Sequence, residues 1–302
     1  SNLIRHPDLA AFLNSPDAGP DRSLQLESPV NSGQILEYRM APYGEGQKLL
    51  MARDITSIQR ANQMRKDFIA NASHELRTPL TVISGYLENF VDELVLFPEV
   101  LRTQILQMRQ QTERMQRLID DLLTLAVLET GAGQAQDEII MAPELLGSIY
   151  QEAQGVSGIM EHLFYLDCEP GLCLRGNQRE IYSAFSNLVL NAVQHTSEHG
   201  IIRLRWYADD DGAHCSVSDT GEGIAPEHIT RITERFYRVD KGRSRNKGGT
   251  GLGLAIVKHV MIRHGGSLFI ESQPGKGSTF RCDFPVERIV YRKDNRDATL
   301  SA

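Results

Sequence analysis

The chain has 302 residues, a formal net charge of −7 and 41% hydrophobic residues. That length suits two or three domains, and the apolar content excludes global disorder. The acidic balance argues against a protein that coats DNA or an anionic membrane surface. The four cysteines, Cys168, Cys173, Cys215 and Cys282, make no CxxC pair and no metal-like spacing with histidine, so they read as reduced thiols of a cytosolic region. No apolar run approaches the roughly 20 residues of a spanning helix.

Residues 1–55 read as short strands, Leu24–Leu26, Gln34–Met40 and Lys48–Arg53, separated by turn residues at Asn31-Ser32-Gly33 and Pro42-Tyr43-Gly44. Three strands are too few for an independent sandwich, as expected of part of a larger domain. From Thr56 the period changes. Apolar or small residues recur three and four apart at Ile69, Ala72, Leu76, Leu80, Ile83, Leu87, Phe90 and Leu94. Phe97-Pro98 interrupts, and a second stripe follows at Leu101, Ile105, Met108, Thr112, Met115, Ile119, Leu122 and Ala126. This 3-4 repeat predicts a long helical hairpin over residues 56–133, ended by Gly131-Ala132-Gly133. Two helices alone leave an apolar seam open, so pairing of two hairpins into a dimeric four-helix bundle is expected.

Residues 137–288 are mixed and predict an α+β sandwich. Helical segments at 143–158, 177–194 and 252–264 alternate with strands at Ile201–Trp206, His214–Ser218, Ser267–Ile270 and Thr279–Phe284. Asp240–Thr250 is rich in Gly, Lys and Arg without apolar period, the composition of a mobile lid. Residues 289–302 read as a flexible polar tail.

Five motifs carry chemistry. In Ser73-His74-Glu75-Leu76-Arg77-Thr78-Pro79, His74 precedes the seam residue Leu76 by two and so is expected to face solvent. An exposed imidazole is partly neutral near pH 7 and can attack phosphorus, with Glu75 beside it to orient the ring or take its proton. Thr78 lies one turn on, where it can hold a water, and Pro79 is expected to bend the helix. Asn187 and Asn191, at i and i+4, offer amide oxygens suited to Mg²⁺, with Asn191 the first choice of ligand. His195, one turn further, either packs on a base or simply ends the helix.

Asp219-Thr220-Gly221-Glu222-Gly223 follows a strand. Asp219 reads equally as an acceptor for an adenine amino group or as an Asx turn. Gly248-Gly249-Thr250-Gly251-Leu252-Gly253-Leu254 runs into a helix, the form of a backbone phosphate cradle that is neither Walker A nor GxGxxG. Phe236-Tyr237-Arg238 precedes it, and Arg238, Lys241, Arg243, Arg245 and Lys247 bring positive charge. Thr279 places a hydroxyl at a strand start, near the phosphates or in a plain turn.

In this order the motifs resemble the H, N, G1, F and G2 boxes of the sensor histidine kinases, from about Thr56 to Val286. The resemblance implies a hairpin for dimerisation and histidine phosphotransfer, a Bergerat-type ATP-binding domain, ATP and Mg²⁺ as cofactors, a homodimer, and a response-regulator receiver domain as partner. It implies catalytic roles for His74, Glu75 and Thr78, in kinase and regulator-phosphatase reactions. Nucleotide contacts are implied at Asn187, Asn191, His195, Asp219, Gly221, Gly223, Ile224, Tyr237, Arg238, Thr279 and along Gly249-Thr250-Gly251-Leu252-Gly253-Leu254. Gln194 departs from the family, many members of which carry lysine there, so lid cations are expected to matter more. Met40-Ala41-Pro42-Tyr43, Leu49–Arg53, Asp54-Ile55-Thr56 and Asn62–Phe68 resemble the phosphate-regulon subgroup. Its members carry membrane helices and a PAS domain before the kinase core. Residues 1–55 would then be the last part of an α/β PAS-like domain, in the cytoplasmic portion of an inner-membrane protein.

Two other classes compete. A dimeric scaffold with dead ATP chemistry has no need of His74 with both asparagines. ATPases of the chaperone, gyrase and mismatch-repair type share the nucleotide boxes but have no bundle histidine.

Overall fold

The structure is a computed structural model that describes residues 6–14, 23–28, 30–44, 47–129, 137–239 and 249–292, with backbone alone at Arg65, Lys66, Phe68, Ile69, Ala70 and His74. Several expectations lie outside the described residues: the glycines at 131–133, the lid over 240–248 with Lys241, Arg243, Arg245 and Lys247, and the tail beyond 292. The chain forms two compact units, Ser1–Ile69 and Ala70–Ala302.

In the first unit, β1 (Ser23–Glu27), β2 (Ile35–Tyr43) and β3 (Gln47–Asp54) make an antiparallel sheet in that order. A helix that the sequence reading did not locate, α1 (Pro7–Asn14), buries Leu9 and Phe12 with Tyr38 and Met40 of β2. Eight residues with two apolar anchors give too short a period to detect. The start of α2 (Thr56–Asp92) is fixed locally. Asp54 Oδ1 accepts from the Thr56 N–H at 2.9 Å and its hydroxyl at 2.6 Å, while Thr56 Oγ1 accepts from the Ile35 N–H at 2.8 Å. The Thr56 hydroxyl bond, with help from Gln34, lowers the Asp54 carboxyl to about 2.

In the second unit, α2 runs on through Pro79 without ending, a 3-10 turn follows at Leu94–Leu96, and α3 spans Glu99–Glu129. The connection is closed by Arg102, which donates to the carbonyls of Phe97 at 2.7 Å and Val95 at 2.9 Å. The heptads split into two sets. Leu80, Leu87, Ile105, Thr112, Ile119 and Ala126 are buried, whereas Leu76 (53% exposed), Ile83 (45%), Met108 (50%), Met115 (44%) and Leu122 (40%) stand open. A groove of about 560 Å³ lined by Ile83, Leu87, Met108, Thr112 and Met115 lies between the sets.

The C-terminal region is a two-layer α/β sandwich. Its main sheet has the order β5 (Leu163–Cys168), β7 (Ile201–Asp209), β8 (Gly212–Asp219), β10 (Gly277–Phe284) and β9 (Ser267–Gln273). Only the β5–β7 pair is parallel. The central strand β8 is buried along almost its whole length, while edge strand β9 alternates exposed and half-buried. The helices α4 (Ala142–Ser157), α5 (Gln178–His195) and α7 (Gly253–Arg263) cover one face. Phe185, Trp206 and Phe284 meet in the core with ring centroids 6.1–6.3 Å apart. On the outer face guanidinium groups lie over rings, Arg203 on Tyr165, Arg205 on Tyr207 and Arg281 on Phe269.

A small sheet, β11 (Ile289–Tyr291), β6 (Leu172–Gly176) and β4 (Glu138–Ile140), corrects the tail expectation. Residues 289–292 are not a free tail: Val290 faces Cys173 across the pair, and the Arg292 N–H donates to the Gly171 carbonyl at 2.9 Å. The β-branched Ile289-Val290 pair supplies the strand signal once β6 offers an edge. All four cysteines are free, and burial pushes the Cys168 thiol up to about 11.

Candidate functional site

The site grows from α5. Asn177 caps this helix by accepting from the Glu180 N–H at 3.1 Å, and Ile181, Ala184, Phe185, Leu188, Val189 and Ala192 bury one face. That leaves Asn187 and Asn191 half-buried on the other side. Asn187 Nδ2 donates to the Ser183 carbonyl at 2.8 Å, so its Oδ1 faces the first residue of α7. A side chain at Gly253 would collide with that oxygen, which explains the glycine at the helix start. Among the described residues no three His, Cys, Asp or Glu side chains group to hold a metal. Amide oxygens on α5 do fit a magnesium ion that keeps its waters and shares phosphate oxygens.

The end of α5 meets the loop after β8. His195 Nδ1 lies 2.5 Å from Glu222 Oε1, and the His195 carbonyl accepts from the Glu222 N–H at 3.2 Å. Thus His195 both ends its helix and presents a half-exposed ring at the loop. Asp219 is buried, and Oδ1 accepts from the Gly221 N–H at 2.8 Å, the bond of the turn reading. Burial raises its carboxyl pKa, partly offset by the N–H groups of Gly221 and Ser278. Gly223 has φ +67°, and a Cβ there would strike the Gln273 carbonyl; the next N–H, of Ile224, donates to Ser272 Oγ at 2.8 Å. Thr279 Oγ1 pairs with Ser218 Oγ at 2.9 Å on the neighbouring strand.

Tyr237 is held from two sides. Its hydroxyl is 2.7 Å from His228 Nδ1 on α6 (Pro226–Ile229), and the Arg231 guanidinium lies 4.3 Å over its ring. Phe236 adopts φ +60°, and its N–H donates at 2.8 Å to the carbonyl of Gly251, itself at φ +73°. This bond ties the aromatic segment to the glycine loop. Gly249 lies near both the Gln194 amide oxygen and Arg238 Nη2, so an amide and a guanidinium flank the start of the glycine loop. Burial, and then the neighbouring Arg114, lowers the Arg238 pKa. Leu252 is fully buried, and its N–H donates to Thr250 Oγ1 at 3.2 Å. Leu254 packs on the same core.

The C-terminal region docks on α3. Leu125 and Leu128 belong to its core, Arg235 and His259 face Glu129, and the Thr250 hydroxyl donates to Asp121 Oδ2 at 2.7 Å. On α2, Glu75 and Thr78 are exposed, and Arg77 pairs with Asp120 of α3. His74 lies within α2, and the expectation for its side chain falls outside the described residues.

The structure therefore gathers Asn187, His195, Asp219, Gly221, Gly223, Tyr237, Arg238 and the 249–254 loop at one end of the sheet. Sequence reasoning missed Ser272, His228, Glu222 and Asp121. The first two carry no motif signal. Glu222 sits inside a motif read for its glycines, and Asp121 lies 129 residues from its partner.

Comparison with known proteins places this arrangement. Residues 176–288 match the family of histidine kinase-, DNA gyrase B- and HSP90-like ATPases, and residues 64–131 match the His Kinase A phospho-acceptor domain. The chain belongs to the sensor histidine kinases. Within them it is similar to the phosphate regulon sensor protein PhoR of Pseudomonas aeruginosa, 50% identical over 96% of this chain and 65% of that protein. The PhoR of Haemophilus influenzae is 36% identical over 87% of this chain and 61% of its own length. The chain thus spans less than two thirds of either relative. A crystal structure of full-length ShkA in complex with AMPPNP superposes with a TM-score of 0.61 at 26% identity, covering 75% of this chain and 47% of that one.

Proposed function

We propose that the chain is the kinase core of a homodimeric sensor that phosphorylates its own His74 from ATP and passes the group to an aspartate of a response-regulator receiver domain. The observation that carries this reading is the convergence of four nucleotide-type motifs at one end of a sheet, in a chain whose hairpin matches the phospho-acceptor domain. In the transfer step a ring nitrogen of His74 forms a P–N bond to the γ-phosphorus as the bond to the ADP oxygen breaks, and Glu75 takes the ring proton. Asp219 accepts from the adenine amino group, His195 flanks the base, and the 249–254 loop and Arg238 receive the phosphates. Asn191, with Asn187 in support, holds Mg²⁺, which neutralises phosphate charge when bound. Thr78 positions a water for regulator dephosphorylation.

The open heptad set supports the dimer: Leu76, Ile83, Met108, Met115 and Leu122 repeat at multiples of seven within each helix, and a second hairpin covers them. The likeness to PhoR over 96% of the chain supports a role in phosphate-limitation signalling. In this reading residues 1–55 are the last part of a PAS-like domain, and the whole protein is membrane-anchored. Incubation with γ-labelled ATP and Mg²⁺ tests the core. Acid-labile, alkali-stable label that moves to an added receiver domain is expected; release of free phosphate alone would indicate an ATPase, and neither product a scaffold.

A further inference from the structure

The glycine loop is not open in this arrangement. Thr250, in the middle of it, gives its hydroxyl proton to Asp121 Oδ2 at 2.7 Å while accepting from the Leu252 N–H. Asp121 is half-buried on α3, and the docking around it is extensive, with Leu125 and Leu128 in the shared core and Glu129 facing Arg235 and His259. A carboxylate thus sits on a loop hydroxyl, just ahead of the N-terminus of the eleven-residue helix α7. Both features attract anions. The adjacent Asp120 holds Arg77 of the helix that carries His74, so two consecutive aspartates of α3 grip the phosphate loop and the phospho-acceptor helix.

We propose that Asp121 is an internal occupant of the phosphate cradle, which the polyphosphate of an incoming nucleotide must displace. This rests on the reading of the 249–254 loop as the phosphate site and adds a residue outside every motif to it. A carboxylate and a phosphate cannot share one hydroxyl donor, and two anions brought to the same hydroxyl repel. Burial raises the Asp121 pKa, as expected of a carboxyl held under a docked surface. The apparent nucleotide affinity is then the intrinsic one reduced by the fraction of molecules in which the cradle is free. Nucleotide binding loosens the docking of α7 on α3, and docking on α3 weakens nucleotide binding, by the same factor.

The test uses the whole chain and Mg²⁺–AMPPNP, with adenosine as a ligand that lacks phosphates. Asp121→Ala should bind AMPPNP about tenfold more tightly than wild type, and the isosteric Asp121→Asn, which keeps an acceptor without the charge, should fall between. Adenosine affinity should not move in either variant. In wild type, saturating AMPPNP should speed amide exchange over residues 118–128. Equal or weaker AMPPNP binding in the variants overturns the proposal, as does adenosine tightening in parallel, which would signal general loosening. Absence of AMPPNP binding in wild type and variants alike removes the nucleotide reading itself and the proposal with it.

Discussion

Asp219 sits where a carboxylate is expensive. Burial is the largest influence on it and raises its pKa above the ordinary 3.8, against the hydrogen bonds from Gly221 and Ser278. The sign follows directly. A carboxyl with a raised folded-state pKa favours the fold fully below the ordinary value, and that contribution is lost as pH rises through the raised one. Near pH 7 the ionised side chain therefore weighs against folding. Asp219→Asn should keep or slightly raise the melting temperature at pH 7 and flatten its decline between pH 4 and neutrality. Because an amide can turn a donor to the adenine amino group, ATP affinity should fall about tenfold or more. Thermal melts across pH and nucleotide titrations check both, and a variant that binds ATP normally would remove Asp219 from base recognition. Thr78 is exposed on α2 one turn beyond His74. In the proposed function its hydroxyl holds an attacking water and is not needed for attack by imidazole. Thr78→Ala should leave autophosphorylation intact and slow regulator dephosphorylation about tenfold, on the order of 1.4 kcal/mol of barrier. Equal loss of both activities would point to distortion beside Pro79.

At the scale of elements, α3 does two things at once. Its Ile105, Thr112, Ile119 and Ala126 face the hairpin interior, and its Met108, Met115 and Leu122 lie on the open seam. Leu122→Glu would place a charge in that seam, and the dissociation constant of the dimer should rise at least about tenfold. Light scattering over a dilution series reads this, and an unchanged dimer would mean that another face pairs. The heptad stripe was legible in the sequence because 3-4 spacing holds through Leu101–Ala126, far longer than chance sustains. The helical segments read at 143–158, 177–194 and 252–264 correspond to α4, α5 and α7. What was not legible is short or non-local. The helix α1 rests on Leu9 and Phe12 alone, β4 and β11 have three residues each, and β6 is seen as a strand only when both partners are in place. The site divides similarly. Five motifs announced themselves as strings, but the bond between the Phe236 N–H and the Gly251 carbonyl, the Tyr237–His228 pair and the Thr250–Asp121 contact depend on the fold.

At the scale of the whole molecule, one chain is both enzyme and substrate in the proposed function. The nucleotide motifs lie on the C-terminal sandwich, and the proposed acceptor, His74, lies on α2, more than 100 positions earlier in the sequence. Binding and acceptance are therefore separable, whereas an ordinary ATPase of the same fold would lose turnover only through its nucleotide site. The direct measurement is label incorporation from γ-labelled ATP and Mg²⁺ into wild type and His74→Gln, with AMPPNP affinity measured on the same samples. The account predicts acid-labile label on wild type, none on His74→Gln, and AMPPNP affinities within about threefold of each other. Undiminished label on His74→Gln would contradict it.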